Sequence, residues 1–159
     1  MRRLVVLGLV GTLAFTFVGS PASRAATIAS NWPVGKAPFG LASDSSTGKI
    51  YVANSETAML DGTGRISVVD PATGSVGSIT TSLTANFVVA DASARRLYSS
   101  NATLSASSES IDVFDLDSGA AVATIGGVGG LSLGLDTAAR RLFAAVAGVA
   151  IDAEVHPAC

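Results

Sequence analysis

The chain has 159 residues, of which 48 % are hydrophobic and 14 % charged, with a formal net charge of −2 and a mean hydropathy of +0.51. Such a chain is too apolar to be intrinsically disordered and too weakly charged to bind nucleic acid through bulk electrostatics. Its single Cys (Cys159) and single His (His156), both near the end, exclude a disulfide framework, a multi-cysteine metal site and histidine-based catalysis in the body of the chain.

Residues 1–25 have the layout of a secretory signal peptide. Arg2 and Arg3 supply the positive start. Leu4 to Val18 is an uncharged apolar run, and Ser23-Arg24-Ala25 puts small residues where a signal peptidase needs them. The run is shorter than the ~20 apolar residues of a spanning helix. Cleavage after Ala25 is therefore expected, with an uncleaved anchor as the alternative. Loss of Arg2, Arg3 and Arg24 leaves an acidic domain with a net charge of about −5. An exported protein is the expectation, extracellular, periplasmic or on the cell surface, with no transmembrane segment after cleavage.

Beyond a short lead (26–33), the chain repeats itself. Leu41-Ala42-Ser43-Asp44, Val88-Val89-Ala90-Asp91 and Leu133-Gly134-Leu135-Asp136 are copies of one segment, their Asp residues 47 and then 45 positions apart. Tyr51, Tyr98 and Phe143 follow at matching offsets. A second half-unit also recurs: Ile66-Ser67-Val68-Val69-Asp70 with Thr73-Gly74, then Ile111-Asp112-Val113-Phe114-Asp115 with Ser118-Gly119. The segments are short, rich in Val, Ile, Leu and Tyr, and separated by Asp, Pro and Gly turn chemistry, which is the pattern of strands joined by tight turns. Strands are predicted near 39–43, 49–54, 65–70, 75–79, 86–90, 96–101, 110–115, 120–125, 131–135, 141–146 and 149–152. No segment has a capped 3.6-residue period, so almost no helix is expected.

Four short strands per unit of about 45 residues is the spacing of a β-propeller blade. The predicted fold is all-β: antiparallel four-stranded blades at about 34–79 and 80–125, part of a third at 126–152, and an irregular tail at 153–159. Two and a half blades fall short of the four to eight of a closed propeller. Either a truncated or frame-shifted product without independent function or a protomer that self-associates to complete a ring is expected.

Tyr51-Val52-Ala53-Asn54, led by Gly35-Lys36-Ala37-Pro38-Phe39-Gly40 and followed by Val68-Val69-Asp70-Pro71-Ala72-Thr73-Gly74, resembles the YVTN-type β-propeller repeat. The second unit keeps Tyr98 and Asn101, the third only Phe143. The resemblance implies a non-catalytic binding or interaction module of the cell envelope. Some propellers of this kind are lactonases or redox partners. A lactonase-type site would need a metal held by Glu, Asn and Asp at the channel, and here no Glu falls on a predicted inner strand.

The recurring carboxylates Asp44, Asp91, Asp136, Asp70 and Asp115 are read as turn caps rather than a cation-binding ring, because the same residue closes the same turn in each unit. Asp115-Leu116-Asp117-Ser118-Gly119 begins like a calcium loop but lacks the closing Glu. Arg95-Arg96 and Arg140-Arg141 are read as solvated hairpin charges, and Trp32 as a packing residue for the lead. No catalytic, cofactor-binding or metal-ligating residue is assigned. Ligand contacts are placed on two polar loops at one edge, at Ser55, Glu56, Asp61, Ser107, Ser108 and Glu109, where rigid strands present exposed loops to a protein or small-molecule partner.

Overall fold

The structure, a computed structural model, describes residues 28–55, 64–102, 109–128, 132–146 and 149–154. The proposed signal peptide, Glu56, Asp61, Ser107, Ser108 and the end of the tail lie outside these residues.

Eleven strands and no helix are found among the described residues. The first sheet is a meander of β1 (Pro38–Ser43), β2 (Ile50–Asn54), β3 (Gly64–Asp70) and β4 (Ser75–Thr81), antiparallel throughout. The second repeats it with β5 (Ala85–Asp91), β6 (Arg96–Ala102), β7 (Glu109–Asp115) and β8 (Ala121–Gly126). The third has three strands, β9 (Ser132–Asp136), β10 (Arg141–Val146) and β11 (Val149–Glu154).

Alternation along each strand sends neighbouring residues to opposite faces, so the middle sheet packs on both sides. Toward the first sheet it presents Val88, Leu97 and Phe114, which share a core with Tyr51, Ala53 and Ile66. Toward the third it presents Tyr98, Ile111 and Val113, which share a second core with Leu142 and Ala144. This two-sided burial explains why the strands read as apolar rather than strictly alternating.

The innermost strands β1 and β5 converge closely. A Cβ on Gly40 would stand 2.7 Å from the Phe87 Cα, a distance that no side chain tolerates. Phe39 and Phe87 meet edge to face at this point, with ring centroids 5.4 Å apart.

Asp caps the hairpin turns as the repeat predicted. The carboxylate accepts from the turn backbone at Asp44 (from Ser46 N–H, 2.9 Å), Asp70 (Ala72, 2.9 Å), Asp91 (Ser93, 2.9 Å), Asp115 (Asp117, 3.1 Å) and Asp136 (Ala139, 2.9 Å). The first turn of each unit also needs a left-handed residue. Gly48 takes it at φ 74°, whereas Arg95 and Arg140 take it at 54° and 57°, a conformation costly for any residue with a Cβ.

The lead has a structural counterpart within the chain. Gly35 N–H donates to Ser67 Oγ of β3 (3.2 Å), and 47 residues later Ser82 N–H donates to Asp112 Oδ2 of β7 (2.7 Å). Trp32 Nε1 approaches Gly74 as Ile79 approaches Gly119. Residues 31–35 thus lie against the first sheet as the end of β4 lies against the second.

Candidate functional site

The two ends of the sheets differ in chemistry. At the end carrying the Asp-capped hairpins, a group of charged side chains is bound together across the first two sheets. Arg95 Nη1 donates to Asp44 Oδ2 (2.9 Å) and Ser46 Oγ (2.7 Å), while its Nε and Nη2 reach the carboxylate of Asp117 (3.2 and 2.5 Å). Burial alone would raise the Asp44 pKa. Hydrogen bonds from Ser46, Arg95 and Thr47 outweigh it and hold the carboxyl far below the usual carboxylate range. The Asp117 carboxyl is lowered chiefly by its hydrogen bond from Arg95. Arg96 pairs with Asp115 (3.2 Å), and Arg141 with Asp152.

Arg95 and Arg96 are therefore struts within and between sheets rather than the solvated charges expected from sequence, whereas Arg141 is an exposed charge that pairs with Asp152 at the surface. Asp115 and Asp117 likewise have their oxygens committed to turn N–H groups and Arg95. Among the described residues no three His, Cys, Asp or Glu come together as metal ligands.

At the opposite end β2 and β6 finish and β3 and β7 begin, and this is the end toward which the sequence directs the ligand residues. Of those, Ser55 and Glu109 are described. Ser55 is buried, and its Oγ donates to the Ala85 carbonyl (3.0 Å) and lies 3.1 Å from Asn86 Oδ1. It ties the end of β2 to the start of β5, a positioning role that sequence reading missed. Glu109 opens β7, half-buried, and its carbonyl accepts from Gly127 N–H (3.0 Å). The structure thus places Ser55 and Glu109 at the same end, one on each of the first two sheets.

This end also holds a buried polar rail. Asp112 accepts from Ser82 Oγ and Thr124 Oγ1, each at 2.9 Å, and from Ser82 N–H. Asn101 accepts from Ser99 Oγ (2.8 Å) and donates to Ser110 Oγ (3.4 Å). Its counterpart Asn54 donates to Ser67 Oγ (2.9 Å), but its buried Oδ1 has no hydrogen-bond partner because Val52 stands where Ser99 stands. Thr84 Oγ1, at the entry to β5, is also buried without one. A sequence signal for the first was present in the Val52/Ser99 difference between repeats.

No family model matches the chain, and none of the curated proteins does. Among solved structures it is similar to a gluconolactonase of Xanthomonas campestris, at TM-score 0.51 and 20 % identity over 72 % of this chain. The fold is that of β-propeller blades. The chain spans about a third, 36 %, of that structure's length. The hydrazine synthase of Kuenenia stuttgartiensis is a further match, at TM-score 0.47 and 16 % identity, with 67 % of this chain and 42 % of that one covered. At 20 % identity the likeness to the gluconolactonase describes blade architecture and not activity.

Proposed function

We propose that this protein is an exported, non-catalytic β-propeller module of the YVTN type that binds a partner of the cell envelope through its β2–β3 and β6–β7 loops. The observation that carries this reading is the contrast between the two ends. The capped end spends Asp44, Asp115, Asp117, Arg95 and Arg96 on its own turns and sheet junctions. The other end has the two long connections, β2–β3 with Glu56 and Asp61 in its sequence and β6–β7 with Ser105, Ser107 and Ser108 before Glu109, on strands fixed by the Ser55 and Asp112 hydrogen bonds. Loops held by a rigid sheet are where binding residues concentrate.

The test replaces 56–62 and 103–108 by short Gly-containing turns and compares co-sedimentation with envelope fractions of the producing cell. Retained strand spectrum and melting with lost association supports the reading. Unchanged association of the shortened protein contradicts it.

A further inference from the structure

Two departures of the first unit from the second face the same space. Where the second unit has Val122, at the same offset from its strand-ending Asp, the first has Gly77. Where the second has Arg96, two residues before its buried tyrosine, the first has Lys49. Arg96 pairs with Asp115 at 3.2 Å. The Lys49 ammonium makes no ion pair among the described residues. Gly77 and Lys49 both line a cleft of about 190 Å³ at the capped end of the junction between the first two sheets. Glycine inside a strand marks a bulge, a bend, or a close approach by backbone or ligand. Here β3 and β4 pair in unbroken register from Gly64↔Thr81 to Asp70↔Ser75, so there is no bulge. Gly77 is not among the glycines with positive φ. Nothing stands within 4 Å of a Cβ built on it, so no neighbouring backbone demands glycine either. The missing side chain leaves room for a ligand.

That room has a fixed frame. Tyr51, Val68 and Gly77 are paired across β2, β3 and β4 and share the face turned toward the second sheet. Ile79 lies two residues along β4 on the same face, and the Leu116–Gly119 turn of the second sheet forms the opposite wall. The turn is held in place. Tyr51 hydroxyl donates to the Leu116 carbonyl (3.3 Å), and Leu116 N–H donates to the Arg95 carbonyl (3.1 Å). Charge then decides what the cleft accepts. Lys49 and Asp117 both line it. The Asp117 oxygens are taken by Arg95, one from Nη2 at 2.5 Å and the other from Nε at 3.2 Å. An entering ammonium would meet a carboxylate already neutralised. An entering carboxylate would meet the unpaired ammonium of Lys49.

We propose that this cleft binds a small organic carboxylate with a short aliphatic tail, the carboxylate on Lys49 Nζ and the tail over Gly77 against Val68, Ile79 and Leu116. The volume is comparable with the ~150 Å³ of a cavity that admits benzene, so the tail is a few carbons long. A mostly apolar lining with one placed charge is the usual make-up of a small-molecule site. The cleft lies at the opposite end of the sheets from the β2–β3 and β6–β7 loops, and its occupancy does not depend on theirs.

The test titrates isobutyrate into the protein expressed from its full sequence and follows the backbone amide shifts by nuclear magnetic resonance. Saturable shifts are expected at Gly77, Ser118 and Gly119, at the millimolar concentrations usual for a ligand of few atoms. Isobutylamine, with the same tail and the opposite charge, is expected to leave those amides in place. Lys49→Gln is expected to keep the strand spectrum and to weaken isobutyrate binding by about tenfold, the worth of one charge-assisted hydrogen bond. Gly77→Val fills the cleft and is expected to abolish the saturable shifts. Wild-type amides that do not respond, an equal response to the amine, or unchanged binding in Lys49→Gln would overturn the proposal. Should Gly77→Val fail to fold, the amine and Lys49→Gln still decide it.

Discussion

Arg95 in the second sheet reaches across the junction to the fully buried carboxylate of Asp44 in the first, 51 residues earlier, with a 2.9 Å hydrogen bond. It does so from a left-handed backbone conformation, so the ion pair offsets local strain. Arg95→Ala removes the pair and its arm to Asp117 while leaving Asp44 with Ser46 and Thr47. A loss of stability is expected, read as a lower midpoint in urea unfolding, because the buried Asp44 carboxylate loses its cation. Arg95→Lys recovers only part of it, because an ammonium cannot bridge both carboxylates as a guanidinium does.

The same pair sets an acid limit. The Asp44 carboxyl is held below its unfolded value of about 4, and Asp115 and Asp117 are lowered as well. A carboxylate depressed in the fold contributes stability that is fully present above the unfolded pKa and is lost as pH falls toward the folded one. Stability should therefore be flat through neutral pH and decline below about pH 4. Asp44→Asn should lower stability at pH 7 and make the decline shallower. An unchanged slope in that variant would separate Asp44 from the acid response.

Close backbone approach makes a sharper prediction. A Cβ at Gly64 would lie 2.4 Å from the Ala85 amide nitrogen and 2.7 Å from the Leu83 carbonyl oxygen, both backbone atoms with no room to yield. Gly64→Ala should cost about 1–3 kcal/mol, the range for overpacking. Gly77→Ala, where nothing stands within 4 Å, should cost nothing or gain a few tenths of a kcal/mol through the unfolded chain. Thermal melts of the two variants check this side by side.

The orphaned Asn54 oxygen yields a pair of opposite substitutions. Val52→Thr places a hydroxyl where Ser99 serves Asn101, so the usual penalty of a buried hydroxyl should shrink to within about 0.5 kcal/mol of wild type. Ser99→Val removes the donor from Asn101 and should cost about 1–3 kcal/mol, the price of an unpaired buried acceptor. Equal costs for the two would show that the repeats differ here for another reason.

The strands were legible because each carries its own turn signal: Asp before the hairpin, Gly or a left-handed residue inside it, and an aromatic at a constant offset. Those are local features, and the predicted strand limits lie within two residues of the observed ones. The five recurring Asp residues were legible for the same reason, since an Asp caps its own turn. Arg95 was not, because its partner Asp44 is adjacent only after two sheets stack. Ser55 was read as a ligand contact because polar loop residues usually face outward. Its burial depends on β5 arriving alongside it, which nothing within the loop specifies. Glu56, Asp61, Ser107 and Ser108 lie outside the described residues, so that part of the loop edge rests on sequence alone.

The central claim is that the repeats stack as successive blades, each sheet's aromatic buried against the next sheet. Nuclear Overhauser contacts from the two tyrosine rings test this directly. The account predicts cross-peaks from Tyr51 to Leu116 of the second unit, whose carbonyl its hydroxyl reaches at 3.3 Å, and from Tyr98 to Leu142 of the third, which shares its core. Contacts confined to each tyrosine's own unit, in a sample with a strand-rich spectrum, would contradict it.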